Sequence, residues 1–150
     1  ISEGRGTDSP FKLIGVPWLD NQKLFDQLVK NKHPLDDFEL AEFTPQSIPA
    51  AKYPKYKNEN CFGLRIHHLE NPLEWTIQLL TIIKSIHPEE YKFMESNFID
   101  KLYGSDRLRL SILGNISINI IIDNFQYHKE DFLQKREKYL IYDSLKNQNN

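Results

Sequence analysis

Cys61-Phe62-Gly63-Leu64-Arg65-Ile66-His67-His68-Leu69, then Glu70-Asn71-Pro72, then the apolar-rich run from Leu73 to Ile86, place a strand directly before a helix. The first nine residues read as a β-strand. Its alternation puts Leu64, Ile66 and His68 on one face and Arg65 and His67 on the other. Asn71 is a candidate N-cap, and Pro72 falls at N1, where a missing N–H costs nothing and the fixed φ already suits a helix. Leu73, Ile77, Leu80, Ile83 and Ile86 then recur at helical spacing along one buried face, and Pro88 closes the helix. A strand next to a helix makes the class a mixed one of α and β unless the neighbouring segments dictate otherwise.

Upstream, they do not. Phe11 to Trp18 reads as a short strand stopped by Pro17. Asp20 or Asn21 can cap a helix whose stripe is Leu24, Phe25, Leu28 and Val29, running to about Lys32. Phe38, Leu40 and Phe43 suggest a second strand whose alternation breaks only at its end. Thr44 to Asn60 holds Pro45, Pro49 and Pro54 and shows no period. A loop this long in a compact domain is usually a binding element or disordered.

Downstream the chain turns helical. Phe98, Ile99 and Leu102 form a short helix ended by Gly104, and Ser105 can cap another from Asp106 to Leu113, ended by Gly114. Ile116 to Phe125 fits both periods: Ile116, Ile118, Ile120 and Ile122 alternate, while Ile118, Ile121, Ile122 and Phe125 keep helical spacing. β-Branching favours a strand, but the helical neighbours and short connections tip the reading to helix. Phe132, Arg136, Tyr139 and Leu140 continue as a final helix, and Lys146 to Asn150 is a polar tail. The expected architecture is a small mixed or antiparallel sheet from the N-terminal half. Helices mainly from the C-terminal half cover it, in one domain spanning 1–150.

Composition narrows the function classes. The chain has 150 residues, 39% hydrophobic and 27% charged, with formal net charge −2. As one domain it would bury roughly 68–70% of its unfolded surface. It is too hydrophobic for a disordered tail and too near neutrality for nucleic-acid binding driven by bulk charge. The apolar stretch Ile116–Ile122 is far shorter than the ~20 residues of a membrane helix. A single cysteine, Cys61, excludes an internal disulfide framework and a thiolate-rich zinc site but does not fix the compartment. The first residue is Ile1, so the chain reads as processed or as a piece of a longer protein, with any signal peptide out of view.

Several constellations can carry chemistry. Gly4-Arg5-Gly6 sets one guanidinium between two glycines. Backbone N–H groups can converge on an anion there, and arginine adds a planar fork suited to a carboxylate. The plainer reading is a tight turn in which Arg5 pairs with Glu3 or Asp8. Neither a Walker loop nor a dinucleotide fingerprint has this glycine spacing. A metal site from Cys61, His67 and His68 is a sharper idea, opposed by the fact that adjacent strand residues point to opposite faces. Trp18, Tyr53, Tyr56 and Trp75 are candidate platforms for sugar rings, Trp75 being more naturally core. Lys52, Lys55 and Lys57 read most simply as solubilising charges. In Tyr103-Gly104-Ser105-Asp106-Arg107 the structural reading is a helix joint with Ser105 or Asp106 as N-cap and Arg107 in a surface pair. No nucleophile elbow is present.

Taken together, these segments resemble the C-terminal domain of the NamZ-type exo-β-N-acetylmuramidases, a family of glycoside hydrolases. Ser2-Glu3-Gly4-Arg5-Gly6-Thr7 with Pro10-Phe11 and Ile14-Gly15-Val16-Pro17-Trp18 is similar to the family's S-x-G-R-G-T…P-F…I-G-A-P-W. Phe43-Thr44-Pro45, Lys57 and Cys61 to His67 resemble F-x-P…K…C-x-G-x-x-I-H. Phe98 to Arg107 resembles the F-D-x-L-x-G-[ST]-D joint. Phe132, Arg136 and Tyr139-Leu140-Ile141-Tyr142 resemble the F-x-x-x-R-x-x-Y-L-x-Y ending. The chain departs from the pattern at His68 and Glu70, which replace V and D after I-H, and at Val16, which replaces alanine.

The resemblance implies a longer chain, in which a Rossmann-like N-terminal domain carries the catalytic carboxylate and the cleft lies at the domain boundary. The implied reaction releases N-acetylmuramic acid from the non-reducing end of peptidoglycan fragments. No catalytic residue is then expected here, with Glu3 the best supporting candidate. Ser2, Glu3, Arg5, Thr7, Tyr53 and His67 are the candidate substrate-binding residues. No cofactor, metal, nucleic acid or membrane span is implied. The expected partners are a glycan or muropeptide fragment and the N-terminal domain, and the expected location is periplasmic or secreted. Two competing readings are a glycan-binding or structural module without turnover, and a metal-dependent hydrolase using His67 and His68.

Overall fold

Among the described residues, three strands and five helices follow in the order β1 (Leu13–Val16), α1 (Asn21–Lys30), β2 (Phe38–Phe43), β3 (Cys61–Ile66), α2 (Pro72–Ile86), α3 (Phe98–Tyr103), α4 (Arg107–Leu113) and α5 (Ile118–Glu137). The structure is a computed structural model describing residues 1–31, 33–34 and 37–141. Lys32, Tyr142 and the Lys146–Asn150 tail lie outside the described residues. The fold is α+β, in two compact units: Ile1–Met94 holds the sheet with α1 and α2, and the second, from Glu95, holds α3 to α5.

The sheet is antiparallel throughout, in the order β1-β3-β2. The central strand is therefore the Cys61–Ile66 segment. Gly63 faces Gly15 across the β1–β3 ladder, and a Cβ on Gly63 would lie 1.9 Å from the Ile14 carbonyl oxygen. Only glycine permits that approach. The strand ends at Ile66, three residues before the expected Leu69, because its partners run out. The amide of Ile66 donates to the Lys12 carbonyl (2.7 Å) and that of His67 to the Asp37 carbonyl (2.8 Å), the last rungs on either side. β1 begins only at Leu13, since Phe11 has φ +66°, outside any strand conformation.

Register assigns the two faces. Val16, Phe38 and Leu64 are buried on one side, which α1 and α2 cover. Leu24 and Leu28 of α1 are fully buried, and Trp75 of α2 meets the Phe38 ring at 6.5 Å between centroids. The Asp20 side chain caps α1 by accepting from the Lys23 amide at 3.0 Å. Val29, assigned to the α1 stripe by spacing, is exposed. In α2, Pro72 takes N1 as expected, but burial spreads beyond one stripe to Trp75, Leu79 and Ile82. The helix is enclosed on more than one side, so its 3.6-residue signal underestimates its core.

On the other face Leu13, Phe43 and Cys61 form a second small core, with Ala41 and Tyr56 packed against it. This explains the broken alternation of β2: Phe43 points away from Phe38, into the core beneath the loops. The Thr44–Asn60 loop is pinned at its base by the Asn58 amide donating to the Pro45 carbonyl at 2.8 Å.

In the second unit, Ile116–Phe125 resolves as helix, and α5 runs unbroken through Phe132 and Arg136. Among the described residues of this unit there is no strand to pair with, so β-propensity has nothing to act on. Arg109 grips Asp100 with three donor–acceptor contacts of 2.7 to 3.0 Å, tying α4 to α3.

Candidate functional site

The loop face of the sheet carries the charged chemistry. Residues 2–12 start alongside β1, with Ser2 and Gly15 exchanging backbone hydrogen bonds of 2.8 and 3.2 Å in an antiparallel bridge. Ser2 is buried, and its Oγ accepts from the Gly4 amide at 3.3 Å. Gly6 has φ +84°, and a Cβ there would sit 2.4 Å from the Gln46 carbonyl oxygen. Glycine thus lets the turn lie against the proline-rich loop, where the Gln46 amide donates to the Gly6 carbonyl at 2.8 Å. Thr7 folds back, its hydroxyl donating to the Gly4 carbonyl at 2.6 Å and accepting from the Ser9 amide at 3.1 Å. The Gly4 and Thr7 amides are therefore spent inside the loop. A fully convergent amide nest over Gly4–Thr7 is not formed.

What the turn presents is side-chain charge. Arg5 Nε lies 3.3 Å from Glu3 Oε1, the pairing anticipated by the plainer reading of the motif. Lys55 Nζ, from the proline-rich loop, lies 3.3 Å from Glu3 Oε2 and donates to the Ile1 carbonyl at 3.1 Å. Lys55 is thus a member of the cluster and not merely a solubilising charge. Two cations share one carboxylate, which leaves the cluster one positive charge in excess. The Arg5 guanidinium also lies over the Phe11 ring, 5.3 Å from its centroid. Phe11 is 69% exposed and lies in the left-handed region, its N–H donating a hydrogen bond to the Glu3 carbonyl at 2.8 Å. Such a conformation costs on the order of 1–2 kcal/mol in a non-glycine residue.

A second cluster lies on the same sheet face. Arg65 and His67 do share a side, as alternation requires, and both reach Glu39. Arg65 Nε lies 3.1 Å from Glu39 Oε1 and His67 Nε2 3.9 Å from Glu39 Oε2. Arg65 also donates to Ser9 Oγ at 3.0 Å, joining this cluster to the 2–12 loop. Motif reading missed Glu39 and Ser9. The signal for Glu39 was present in the exposed position between Phe38 and Leu40, but only register places it opposite Arg65.

The aromatic candidates separate. Tyr53 is 94% exposed, two residues from Lys55. Tyr56 packs into the Leu13–Phe43–Cys61 core, and burial pushes its phenol up. Trp75 is core, 7% exposed, and Trp18 meets the His87 ring edge-on at 5.4 Å. Cys61 and His67 are six strand positions apart, about 20 Å at the rise of an extended chain. Burial, reinforced by Glu59, pushes the Cys61 thiol up to about 11. His68 lines a different cleft, of about 410 Å³, with His33 and Trp75. No group of three or more His, Cys, Asp or Glu among the described residues could hold a metal ion.

Comparison with known proteins gives a consistent result. The sequence model of the family described as exo-beta-N-acetylmuramidase NamZ, C-terminal, matches residues 1–142. The chain is similar to the peptidoglycan beta-N-acetylmuramidase NamZ of Bacillus subtilis (strain 168), at 33% identity over 146 residues, covering 95% of this chain and 34% of that protein. Two crystal structures of DUF1343 family proteins from Bacteroides fragilis NCTC 9343 share the fold. One has TM-score 0.66 at 27% identity, covering 94% of this chain and 36% of the other. The second has TM-score 0.72 at 20% identity, covering 94% and 38%. The chain therefore spans about a third of the length of the proteins it matches.

Proposed function

Because the chain belongs to the family of NamZ exo-β-N-acetylmuramidase C-terminal domains, we propose that it forms one wall of the active-site cleft of a peptidoglycan-degrading enzyme and helps bind a non-reducing-end N-acetylmuramic acid. The observation that carries this reading is the Arg5–Glu3–Lys55 cluster, with its excess positive charge, on an exposed turn. N-Acetylmuramic acid differs from N-acetylglucosamine by a lactyl ether bearing a carboxylate. Arg5 and Lys55 supply the matching donors, and Glu3 positions them. The Phe11 ring fixes the guanidinium plane, and exposed Tyr53 offers an apolar face to a sugar ring. His67, with Glu39 and Arg65, extends the polar wall. Ser2 and Thr7 serve by shaping the turn, since their hydroxyls are engaged within it.

Glycosidic cleavage normally uses two carboxyl-type groups flanking the bond. In this reading the principal one comes from an N-terminal domain of the full-length chain, and residues 1–150 act as a single module beside it. Peptidoglycan lies outside the cytoplasmic membrane, so the protein is periplasmic or secreted. No helix among the described residues is long and apolar enough to cross a membrane.

The test is Arg5→Ala in the full-length enzyme, assayed on a chromogenic muramic acid glycoside. A charge-assisted contact of ~2–4 kcal/mol predicts a loss in kcat/KM of roughly thirtyfold or more. An unchanged value would exclude Arg5 as the carboxylate reader. Turnover by residues 1–150 alone would overturn the division of labour, whereas glycan binding by the full-length chain without turnover would favour a non-catalytic module.

A further inference from the structure

The Tyr103–Arg107 joint takes only part of its expected structural role. Asp106 occupies the N-cap of α4, yet no side chain caps that helix. Among the described residues Arg107 enters no ion pair with a carboxylate; its Nη1 meets Nε2 of His128, on α5. The partner of this guanidinium is thus an imidazole nitrogen and not a carboxylate. Joint and helix together enclose a cleft of about 290 Å³. Of its lining, Leu108 and Ile121 are buried and Phe125 half-buried, giving an apolar floor, while Arg107, Asn124 and His128 are exposed.

We propose that this cleft is a second ligand site, which takes a carboxylate carried on a small apolar body. The guanidinium fork suits a two-oxygen acceptor. Displacing the imidazole from Arg107 breaks no bond to a carboxylate, the Asn124 amide can donate to a flanking carbonyl, and the floor buries a methyl-sized group. At about 290 Å³ the volume sits at the small end of ligand pockets, which suits a small molecule or the end of a short peptide. The site is separate from the Arg5 cluster and does not rest on glycosidase activity.

The carboxylate could belong to a peptide end or to a sugar acid, and the probes distinguish these. The full-length protein is titrated by ligand-observed NMR with N-acetyl-alanyl-alanine, with its C-terminal amide, and with N-acetylmuramic acid. Binding of the dipeptide acid at least about tenfold tighter than the amide, lost in Arg107→Gln, supports a peptide-end site. Binding of the sugar acid in place of the dipeptide, again lost in Arg107→Gln but retained in Arg5→Ala, supports a sugar-acid site. Equal binding of acid and amide, no binding of any probe, or binding indifferent to Arg107 overturns the proposal. Should Arg107→Gln fail to fold, Arg107→Lys keeps the charge but loses the two-pronged fork and is expected to weaken the acid severalfold.

Discussion

Glu39 and Arg65 sit directly opposite each other across the β2–β3 ladder, with Arg65 Nε 3.1 Å from Glu39 Oε1, and the same arginine reaches Ser9 in the N-terminal loop. One side chain thereby ties sheet register to loop position. Both partners are partly exposed, so the pair itself contributes modestly, about 0.2–1 kcal/mol. A double-mutant cycle over Glu39→Ala and Arg65→Ala should return a coupling in that range. The looser loop should also show faster proteolysis within residues 3–11 in the Arg65→Ala variant. Zero coupling together with unchanged proteolysis would mean that the two groups do not communicate.

Gly63 and Gly104 offer a matched contrast. A Cβ at Gly63 would press on the Ile14 backbone, whereas one at Gly104 meets nothing within 4 Å, although φ there is +88°. Gly104→Ala is expected to cost about 1 kcal/mol from conformation alone. Gly63→Ala must separate β1 from β3 and should cost about 3 kcal/mol or more, a fall in Tm of roughly 10 °C. Equal melting temperatures for the two variants would refute the close approach.

Cys61 is expected to be inert in the folded chain. It is buried and its thiol is pushed up to about 11, so at pH 8 roughly one molecule in a thousand carries the thiolate. Labelling with a thiol reagent should be slow in native buffer and rapid in denaturant. Fast native labelling would contradict the packing of Cys61 against Leu13 and Phe43.

His33 predicts an acid-side loss of stability. Burial lowers its proton affinity in the folded chain, against a weaker opposing pull from Asp37 and Glu74. His68 and Glu70 line the same cleft. Between the folded pKa and the unfolded value near 6.5, the unfolded chain binds more protons, so stability falls as pH drops through that window. His33→Gln should flatten the decline in denaturation midpoint below pH 6.5 relative to the parent chain. Parallel curves would show that this imidazole contributes nothing.

Much of this was legible in local sequence. Pro72 after Asn71, Asp20 before the Leu24 stripe, and Gly104 after Tyr103 mark helix ends through backbone constraints acting over a few residues, and all three ends are where those constraints put them. The Arg5–Glu3 pairing is likewise a local event, two residues apart on a glycine turn. Strand ends were misjudged because a strand persists only while partners supply hydrogen bonds, and neither Lys12 nor Asp37 announces itself as the last partner of Ile66 and His67. The Ile116–Phe125 ambiguity had the same origin, since its alternation has meaning only beside another strand.

The sequence by itself determined the α+β class, the helix ends, the glycine-borne Arg5 and the family, since each depends on short-range backbone restrictions or on an ordered set of motifs along the chain. Tertiary structure alone decided that Lys55 closes on Glu3, that Glu39 stands opposite Arg65, and that Arg107 meets a histidine from α5. These partners are 52, 26 and 21 residues apart in the chain. Charge pairing acts over a few ångströms of space, and only register and helix packing convert such separations into contact.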